Sequence, residues 1–461
     1  MSAPHSFHPT SLREYDVRGT YGTTLTEDDA RALGRSFGTI VRRKGGSHVA
    51  VGRDGRLSSP ALSDAVIDGL TSTGCDVTDI GLGPTPMLYF ATYHLPADAG
   101  VMVTGSHNPP DMNGFKMMLS GGPFFGDDIQ QLGVLAAAAD WERGTGTVGQ
   151  RDIIEAYVTE VAAAYRSERQ FSVVWDCGNG AAGAVIDEIV RRLPGRHVVL
   201  FGEVDGTFPN HHPDPTVPAN LQQLSATVRG TGANFGVAFD GDGDRVGVVD
   251  GEGEMLFGDQ IVLLLARAVL ADHPGATIIA DVKASQALFD GIAEAGGEPL
   301  MFRTGHSLIK AKMKELGSPL AGEMSGHIFF ADRYYGFDDA PYAGVRFLDM
   351  LAGQEKTVAE LRREMPQFVN TPELRFDCDD TRKFEVVAEV VARLRDAGAE
   401  FSDVDGARVM TDDGWWLIRA SNTQPVLVAR CEASSEEGLS RLKVLLVEQL
   451  RQSGVSPPKG L

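Results

Sequence analysis

The first part of the chain alternates short apolar runs with longer stretches in which apolar residues recur every three or four positions. Residues 47–54 and 98–105 are short apolar runs that end in turn residues, which predicts β-strands. Residues 58–74 have helical spacing, with Pro60 near the predicted first turn. Strands that alternate with amphipathic helices are typical of α/β domains. The pattern therefore predicts an α/β domain at the start of the chain.

The same alternation returns twice further along the chain. Residues 151–168 predict a long helix leading into a second unit, in which strands are predicted at 171–177, 197–202, 234–240 and 245–250 and a helix at 181–193. A third unit has predicted helices at 258–273 and 285–296 and a strand at 276–282. We therefore expect three α/β domains with mixed sheets.

The last ninety or so residues have a different pattern. A strand at 373–378 and a helix at 381–398 precede three closely spaced strands through Val409, Leu417 and Val428, and a helix at 434–454 follows. Neighbouring strands joined by short turns predict an antiparallel sheet, here in an α+β domain. The predicted domains are residues 1–150, 151–253, 254–367 and 368–461.

Charge and composition exclude several classes of protein. The 461 residues include 63 acidic and 42 basic side chains, a net charge of −21, which disfavours nucleic acid and anionic membranes as partners. The most apolar run, residues 261–270, contains Arg267 and is too short to span a bilayer, and no signal peptide is apparent at the start. The four cysteines form no C-x-x-C pair, so we expect packing thiols and a cytoplasmic protein.

Ser106 lies in the segment Thr104-Gly105-Ser106-His107-Asn108-Pro109-Pro110, directly after a predicted strand. The glycine allows a turn and the two prolines prevent a strand or helix from continuing, so we expect a stiff, exposed loop that presents the serine hydroxyl to a cleft. A turn or N-cap serine is the alternative interpretation. The G-x-S-x-G pattern of acyl-transfer enzymes is absent.

Three aspartates alternate with glycines in Asp240-Gly241-Asp242-Gly243-Asp244-Arg245, between two predicted strands. The glycines let the backbone curl so that the three carboxylates converge on one hard cation. An EF-hand would need glycine and glutamate where Arg245 and Gly251 stand. Mg²⁺ fits better than Ca²⁺, because three carboxylates leave room for a phosphate oxygen. A solvated acidic turn is the alternative.

Two further polar segments could bind a phosphorylated sugar. Gly322-Glu323-Met324-Ser325-Gly326-His327 offers a carboxylate, a hydroxyl and an imidazole to sugar hydroxyls. Arg419-Ala420-Ser421-Asn422-Thr423-Gln424-Pro425 offers a guanidinium fork and further donors to a phosphate dianion. The alternative interpretation is an ordinary polar loop for the Glu323 segment and an ordinary polar hairpin for the Arg419 segment.

Gly178-Asn179-Gly180-Ala181-Ala182-Gly183 matches the G-x-G-x-x-G pattern of dinucleotide-binding proteins. The acidic residues Glu203 and Asp205 follow at about the spacing that such a fold requires. Any tight turn from strand to helix also favours glycine, and cofactor binding would leave the other four segments without a function. We therefore interpret this segment as a structural turn.

Together, the segments around Ser106, Asp240, Glu323 and Arg419 resemble the α-D-phosphohexomutase superfamily, and within it the bacterial phosphomannomutase/phosphoglucomutase group. The resemblance covers essentially the whole chain, from Tyr15-Asp16-Val17-Arg18-Gly19 onwards, with the motifs in the family's order. Thr104-Gly105-Ser106 and Met324 resemble the mannose/glucose group, because phosphoglucosamine mutases usually have alanine before the serine and glutamine at the position of Met324. The resemblance implies four domains around one central cleft.

The resemblance also implies roles for individual residues. Ser106 matches the phosphorylated serine, and the metal ligands match Asp240, Asp242 and Asp244 together with the Ser106 phosphate. The family's contacts to sugar hydroxyls correspond here to Glu323 and Ser325. Its distal phosphate site corresponds to Arg419, Ser421, Asn422 and Thr423. Its active-site cations and proton carriers correspond to Arg18, His107, Lys116, Arg245, Lys283, His306 and His327, and the resemblance places Tyr15 in the substrate site. Lys116 and His306 are our candidates for proton transfer, and Lys116 needs a lowered pKa to act as a base.

The implied reaction is reversible transfer of a phosphoryl group between O1 and O6 of mannose or glucose, with Mg²⁺, a phosphoserine at Ser106 and a hexose 1,6-bisphosphate intermediate that reorients. The partners are then hexose phosphates, and the resemblance implies a monomer. Alternatives are a phosphoglucosamine mutase, a phosphosugar phosphatase in which water intercepts the phosphoserine, and a binding module without catalysis, which would leave Ser106 without a function.

Overall fold

The computed structural model describes residues 3–422, 424–457 and 461. Its first sheet has seven strands, in the order β1-β5-β4-β2-β3-β7 with β6 beside β5. Strands β4, β2, β3 and β7 run parallel, and β5 is antiparallel to its neighbours. The elements are β1 (Val17–Thr20), α1 (Glu27–Arg43), β2 (His48–Arg53), α2 (Ser59–Thr71), β3 (Asp76–Leu82), α3 (Thr85–His94), β4 (Ala99–Val103), β5 (Met112–Leu119), β6 (Gly122–Pro123), α4 (Asp127–Ala138) and β7 (Val148–Gln150).

The second sheet is also mixed and has the order β12-β11-β10-β8-β9. Its antiparallel pair β10–β11 flanks the turn that contains the three aspartates. The elements are α5 (Ile154–Ala162), β8 (Phe171–Asp176), α6 (Gly183–Val190), β9 (Gly195–Leu200), a 3₁₀ turn (Pro218–Leu221), α7 (Gln222–Thr231), β10 (Phe235–Phe239), β11 (Val246–Asp250) and β12 (Met255–Leu256). By its pairing β12 belongs to this sheet, although it follows the predicted boundary at 253. The domain boundaries stay a proposal.

The third sheet has the order β14-β13-β15-β16, with β16 antiparallel to three parallel strands. The elements are α8 (Gly258–Asp272), β13 (Thr277–Asp281), α9 (Gln286–Glu294), β14 (Glu298–Phe302), α10 (His306–Leu316), β15 (Leu320–Gly322), β16 (Ile328–Phe330), α11 (Ala340–Ala352) and α12 (Val358–Glu364). The predicted mixed sheets of the three α/β domains are therefore confirmed.

The C-terminal domain contains the predicted antiparallel sheet, in the order β17-β22-β21-β20-β19 with β18 beside β22. Its elements are β17 (Val369–Asn370), β18 (Leu374–Asp377), α13 (Arg382–Asp396), β19 (Phe401–Ser402), β20 (Ala407–Thr411), β21 (Gly414–Ala420), β22 (Val426–Ala433) and α14 (Glu436–Gln452). Helices α13 and α14 pack against this sheet through a core of their own. The predicted α+β domain is thereby confirmed.

One predicted helix is shorter than expected. Residues 151–168 were expected to be helical throughout, but α5 covers only Ile154–Ala162. On the N-terminal side, Arg151 N donates to Asp79 O of the first domain at 3.0 Å, and the Asp152 carboxylate accepts a hydrogen bond from Ile154 N. On the C-terminal side, Arg166 N donates to Asp349 Oδ1 of α11 at 2.9 Å. Contacts with two other domains therefore replace the outer helical turns.

The hydrophobic core is divided unequally among the domains. One continuous cluster runs from α3 of the first domain through the second and third domains, and the first domain has a second cluster around α1 and α2. The C-terminal domain contacts the third through a small apolar cluster of Val282, Trp415 and Leu417 and through the buried Arg408, which donates to Val282 O and Ala284 O at 2.7 and 2.8 Å. In the described part of the chain, each helix is too short or too polar to cross a membrane.

Candidate active site

Three of the polar segments follow the carboxyl end of a buried strand. The Ser106 loop (residues 104–112) follows β4, the aspartate loop (residues 240–244) follows β10, and the Glu323 loop (residues 323–327) follows β15. In α/β sheets this edge is where ligands bind, because the strand ends leave side chains and backbone groups open to a crevice. The fold therefore places the segments on facing edges of three sheets.

Ser106 is buried, with 5 % of its surface exposed, so the predicted exposure is wrong for the serine itself, although residues 109–111 of its loop are exposed. Its φ of 51° lies in the left-handed region, an uncommon and strained conformation for serine. Ser106 N donates to Thr104 Oγ1 at 2.9 Å, and Ser106 Oγ donates to Asp240 Oδ2 at 3.1 Å. The hydroxyl thus faces the aspartate loop directly.

The Ser106 loop and the aspartate loop are in backbone contact. A Cβ atom on Gly241 would lie 2.3 Å from Ser106 O, so only glycine fits there. From the first domain, Thr85 N donates to Asp242 O at 2.8 Å, and the Thr85 hydroxyl donates to the Asp242 carboxylate. These contacts fix the position of the first domain relative to the second beside the serine hydroxyl.

The three carboxylates of the aspartate loop fit a divalent cation. Asp240, Asp242 and Asp244 are fully buried, and each offers an oxygen within 4.8 Å of the others. Among the described residues, Asp242 Oδ1 and Asp244 Oδ1 have no hydrogen-bond partner, which is costly for a buried anion. Burial and the two neighbouring carboxylates raise the pKa of Asp240 well above its ordinary value. All-oxygen donors of this charge suit Mg²⁺.

The Lys116 ammonium contacts two of these carboxylates, Asp242 at 2.7 Å and Asp244. Burial alone would lower the pKa of Lys116, but the carboxylates raise it well above its ordinary value. A proton acceptor needs the opposite shift. In this geometry Lys116 is therefore a cation that offsets the aspartate charge, and the lowered pKa expected of it is not present.

Arg245 links two of the predicted histidines. Its Nε donates to His327 Nε2 at 3.0 Å, and its Nη1 lies 3.5 Å from His107 Nε2. Because arginine can only donate, the His327 proton must be on Nδ1, which faces Asp338 Oδ2 at 3.0 Å. His107 Nδ1 lies 3.0 Å from Ser106 Oγ. A chain of polar groups thus leads from Asp338 to the serine.

His306 lies beside this chain, at the first residue of α10, with its ring 5.3 Å from that of His327. Burial and the nearby Lys310 ammonium lower the pKa of His306 well below its ordinary value. Burial and Arg245 do the same to the pKa of His107. Both shifts favour the neutral imidazole, which has a nitrogen free to accept a proton but is a weaker base than an ordinary histidine.

The Glu323 loop is held by hydrogen bonds to its own domain. Gly305 N donates to Glu323 Oε1 at 2.6 Å, and Ser325 Oγ donates to Glu323 Oε2 at 3.2 Å. Met324 N donates to Asp281 Oδ1 at 2.9 Å. Lys283 Nζ lies 3.0 Å from Glu373 Oε2, which brings the C-terminal domain close to this loop.

The C-terminal polar segment approaches the other three through Tyr15. Asn422 Nδ2 donates to Tyr15 OH at 2.6 Å, and Tyr15 OH donates to Thr304 O at 2.8 Å. Arg419 is buried and donates from Nε to Asp405 Oδ2 at 2.9 Å. Ser421 is also buried, and Thr423 lies outside the described residues. Arg18, the remaining predicted cation, pairs with Asp16.

A cavity of about 780 Å³ lies among these segments and is lined by all four domains. Its polar lining residues include His107, Arg245, Lys283, Ser325, Arg375 and Gln424. This volume is in the range of small-molecule sites, and the cations give an acidic protein a local anion site. The predicted four domains around one central cleft are thus observed.

Several residues of this site carry no signal in the sequence. Asp338 precedes a helix and resembles an ordinary capping residue, yet it contacts His327 and Lys310 while fully buried. Thr85 resembles a helix start, and Arg375 lies in an ordinary strand of the C-terminal domain. Their positions depend on contacts between domains, which local patterns do not encode.

The glycine-rich segment 178–183 is a structural turn, as interpreted. It connects β8 to α6, and Gly178 and Asn179 have φ values of 52° and 59°. Ala181 N donates to Gly241 O at 2.9 Å, and a Cβ on Gly180 would lie 2.9 Å from the same oxygen. The turn therefore supports the backbone of the aspartate loop.

Family models for the phosphoglucomutase/phosphomannomutase proteins match the chain in four consecutive parts. The α/β/α domains I, II and III match residues 9–142, 154–253 and 257–368, and the C-terminal domain matches residues 373–449. Together the four matches cover most of the chain, in the family's order.

Full-length relatives agree with these matches. A phosphomannomutase/phosphoglucomutase of Pseudomonas putida is 45% identical over 97% of this chain and 96% of the relative. A phosphoglucomutase of Neisseria gonorrhoeae is 43% identical over 94% of this chain and 95% of the relative. A crystal structure of a phosphoglucomutase/phosphomannomutase family protein from Burkholderia thailandensis is 45% identical, has a TM-score of 0.92 and covers 97% of this chain and 98% of that chain. The chain therefore belongs to the phosphoglucomutase/phosphomannomutase family of the α-D-phosphohexomutase superfamily.

Proposed function

We propose that this protein interconverts the 1-phosphate and 6-phosphate of mannose and of glucose, with Ser106 as the group that carries the phosphoryl between them. The observation that carries this proposal is the 3.1 Å contact of Ser106 Oγ with Asp240, at the junction of two domains and beside the four-domain cavity. The names of the full-length relatives support it over the phosphoglucosamine mutase and phosphatase alternatives.

The proposed reaction needs one reacting centre. The bond between phosphorus and Ser106 Oγ breaks as a bond forms to the free hydroxyl of the bound hexose monophosphate. The proton of that hydroxyl passes to a base, for which the neutral His306 imidazole is our candidate. The resulting 1,6-bisphosphate turns around in the cavity, and its other phosphoryl group returns to Ser106 with the reverse proton transfer.

We propose that Asp240, Asp242 and Asp244 hold a Mg²⁺ ion, together with an oxygen of the Ser106 phosphate. When bound, the ion neutralises charge on the transferring phosphoryl group. The protein's part is to hold the three carboxylates together, and Lys116 limits their mutual repulsion. Hydrogen bonds from Thr85 orient Asp242 for this purpose.

The remaining predicted residues would bind the substrate. Glu323 and Ser325 would hold O3 and O4, which glucose and mannose share, so both epimers would be accepted. The distal phosphate would be held by Arg419, Ser421 and Asn422, and by Thr423, which lies outside the described residues.

Each pair of opposed unit charges is worth about 4 kcal/mol at 4 Å and an effective dielectric near 20. Several cations are thus needed to admit two phosphates, a role for Arg18, Arg245 and Lys283, while His107, His327 and Tyr15 would contribute further hydrogen-bonding groups to the substrate site.

A substrate comparison tests the proposed function. The purified protein, supplied with Mg²⁺ and a trace of glucose 1,6-bisphosphate, should convert glucose 1-phosphate and mannose 1-phosphate to the 6-phosphates. Glucosamine 1-phosphate should react at least about tenfold more slowly, a 1.4 kcal/mol difference in transition-state binding. Free phosphate released in the same samples measures hydrolysis. A preference for the glucosamine phosphate, or more phosphate release than isomerisation, would contradict the proposal.

Arg419→Ala is expected to raise KM for glucose 1-phosphate about 10- to 100-fold, with a smaller change in kcat. Loss of a charge-assisted hydrogen bond to phosphate costs about 1.5–3 kcal/mol, and this contact is the same before and after the chemical step. The control is Arg441→Ala, because Arg441 of the same domain is exposed and pairs with Asp413. An unchanged KM in Arg419→Ala would remove this residue from the phosphate site.

The monomeric state and the cytoplasmic location stay predictions.

A further inference from the structure

A buried arginine, Arg56, donates hydrogen bonds to the backbone of the Ser106 loop. Arg56 precedes α2, and its side chain is 1 % exposed. Its guanidinium donates to Ser106 O at 2.7 Å, to Asn108 O at 2.6 Å, to Pro109 O at 2.5 Å and to Met112 O at 2.9 Å. One side chain thus collects four carbonyl groups from a single loop that lies about fifty residues further along the chain.

The guanidinium is enclosed on its other sides. Asp54 Oδ2 lies 3.4 Å from Arg56 Nε and also accepts a hydrogen bond from Gly105 N at 3.1 Å. From the second domain, the Phe208 ring centre lies 5.2 Å from the guanidinium carbon, a cation–π contact. Because its side chain is buried and its donors are directed to the four loop carbonyls, Arg56 acts on the loop and does not face a substrate.

The loop needs this support at one particular residue. Ser106 has a positive φ, and strained backbone of this kind persists only where its surroundings hold it in place. Arg56 binds the carbonyl of Ser106 itself, while Gly241 approaches the same carbonyl from the second domain. A planar guanidinium has five N–H donors in a fixed fork, whereas a lysine ammonium has three donors at one point. Lysine could not reach all four carbonyls together.

We propose that Arg56 is a positioning residue, which holds Ser106 in its left-handed conformation and so fixes Oγ against the aspartate loop. This inference rests on the proposed role of Ser106. Loss of Arg56 should therefore slow phosphoryl transfer and change substrate binding little. Misplacement of a reacting atom by about 1 Å costs on the order of 100-fold in rate.

The test compares Arg56→Lys with Arg346→Lys. Arg346 is a matched control because it is also buried, pairs with Asp332 and lies in α11. Arg56→Lys should lower kcat about 100-fold and leave KM for glucose 1-phosphate within about threefold. The rate at which glucose 1,6-bisphosphate phosphorylates Ser106 in the dephosphorylated enzyme, followed by intact mass, should fall by the same factor. Arg346→Lys should keep both rates within about twofold of the natural protein, whatever its melting temperature.

Equal rates in the two variants would overturn the inference and leave Arg56 with a merely structural part. If Arg56→Lys does not fold, Asp54→Asn decides, since it has the same shape but loses the charge beside the guanidinium. Its single amide oxygen also cannot replace both carboxylate oxygens, one of which accepts from Gly105 N and the other from Arg56 N and Ser59 Oγ. Asp54→Asn should then show the same loss in kcat with KM retained, and normal kcat would overturn the inference. Failure of the proposed function is a different result, in which the natural protein itself shows no mutase turnover.

Discussion

Replacing Ser106 with alanine is expected to lower mutase turnover by at least about 10⁴-fold. This variant replaces only the serine hydroxyl group with hydrogen. An enzyme that loses its covalent nucleophile has no equivalent route for transfer of the phosphoryl group. The variant removes the contacts of the hydroxyl with Asp240 and His107. The hydrogen bond from Arg56 to Ser106 O and the backbone contact with Gly241 remain, so the neighbouring loops should stay in place. Turnover is measured as glucose 6-phosphate formed from glucose 1-phosphate, with the bisphosphate supplied.

Ser318→Ala is the matched control for this variant. Ser318 is equally buried but donates to Thr277 O and Leu320 O of the third domain, away from Asp240. Both variants should keep a melting temperature close to that of the natural protein, and Ser318→Ala should keep its turnover within about threefold. Near-normal turnover in Ser106→Ala would end the phosphoserine proposal.

Removal of Mg²⁺ is expected to have the second largest effect, a loss of at least about 10³-fold in turnover that added Mg²⁺ reverses. Asp242→Asn should weaken Mg²⁺ binding, measured by calorimetric titration, by at least about tenfold, because one of three charged ligands becomes neutral. Without the ion, the three buried carboxylates face one another with Lys116 as their closest cation. Bound Mg²⁺ should therefore also raise the melting temperature of the natural protein.

Asp250→Asn is the control for the metal site. Asp250 is also fully buried and ends the neighbouring strand β11, but it pairs with Arg362. Its replacement should leave Mg²⁺ affinity unchanged within about twofold. Full turnover in protein shown to contain no divalent metal would contradict the proposed metal site.

Local pattern and local chemistry predicted much of the architecture. The strand pair β10–β11 could be predicted from two apolar runs around the alternating aspartates, and the antiparallel C-terminal sheet from its closely spaced strands. These features depend on residues adjacent in sequence. The motifs around Ser106, Asp240, Glu323 and Arg419 also could be read directly, because each combines its chemical groups within a few residues.

Contacts between domains account for what could not be predicted. The expected helix over 151–168 is limited to Ile154–Ala162 by hydrogen bonds from other elements. Ser106 is buried, since the second domain closes over its loop through Gly241. Asp338 is chemically unremarkable in the sequence, and only the packing of α10 and β16 brings His306 and His327 to it. The role of Arg56 could not be predicted for the same reason, because its four acceptors lie in a loop that is distant in sequence.

The most direct measurement follows labelled phosphate from the substrate to the protein. Glucose 1,6-bisphosphate carrying ³²P is mixed with dephosphorylated protein and Mg²⁺, the reaction is stopped within one turnover, and the labelled peptide is identified by mass spectrometry. A single phosphate on Ser106, formed at least as fast as turnover and transferred to glucose 6-phosphate on a chase, is the expected result. Mutase turnover with no label on Ser106 would contradict the account.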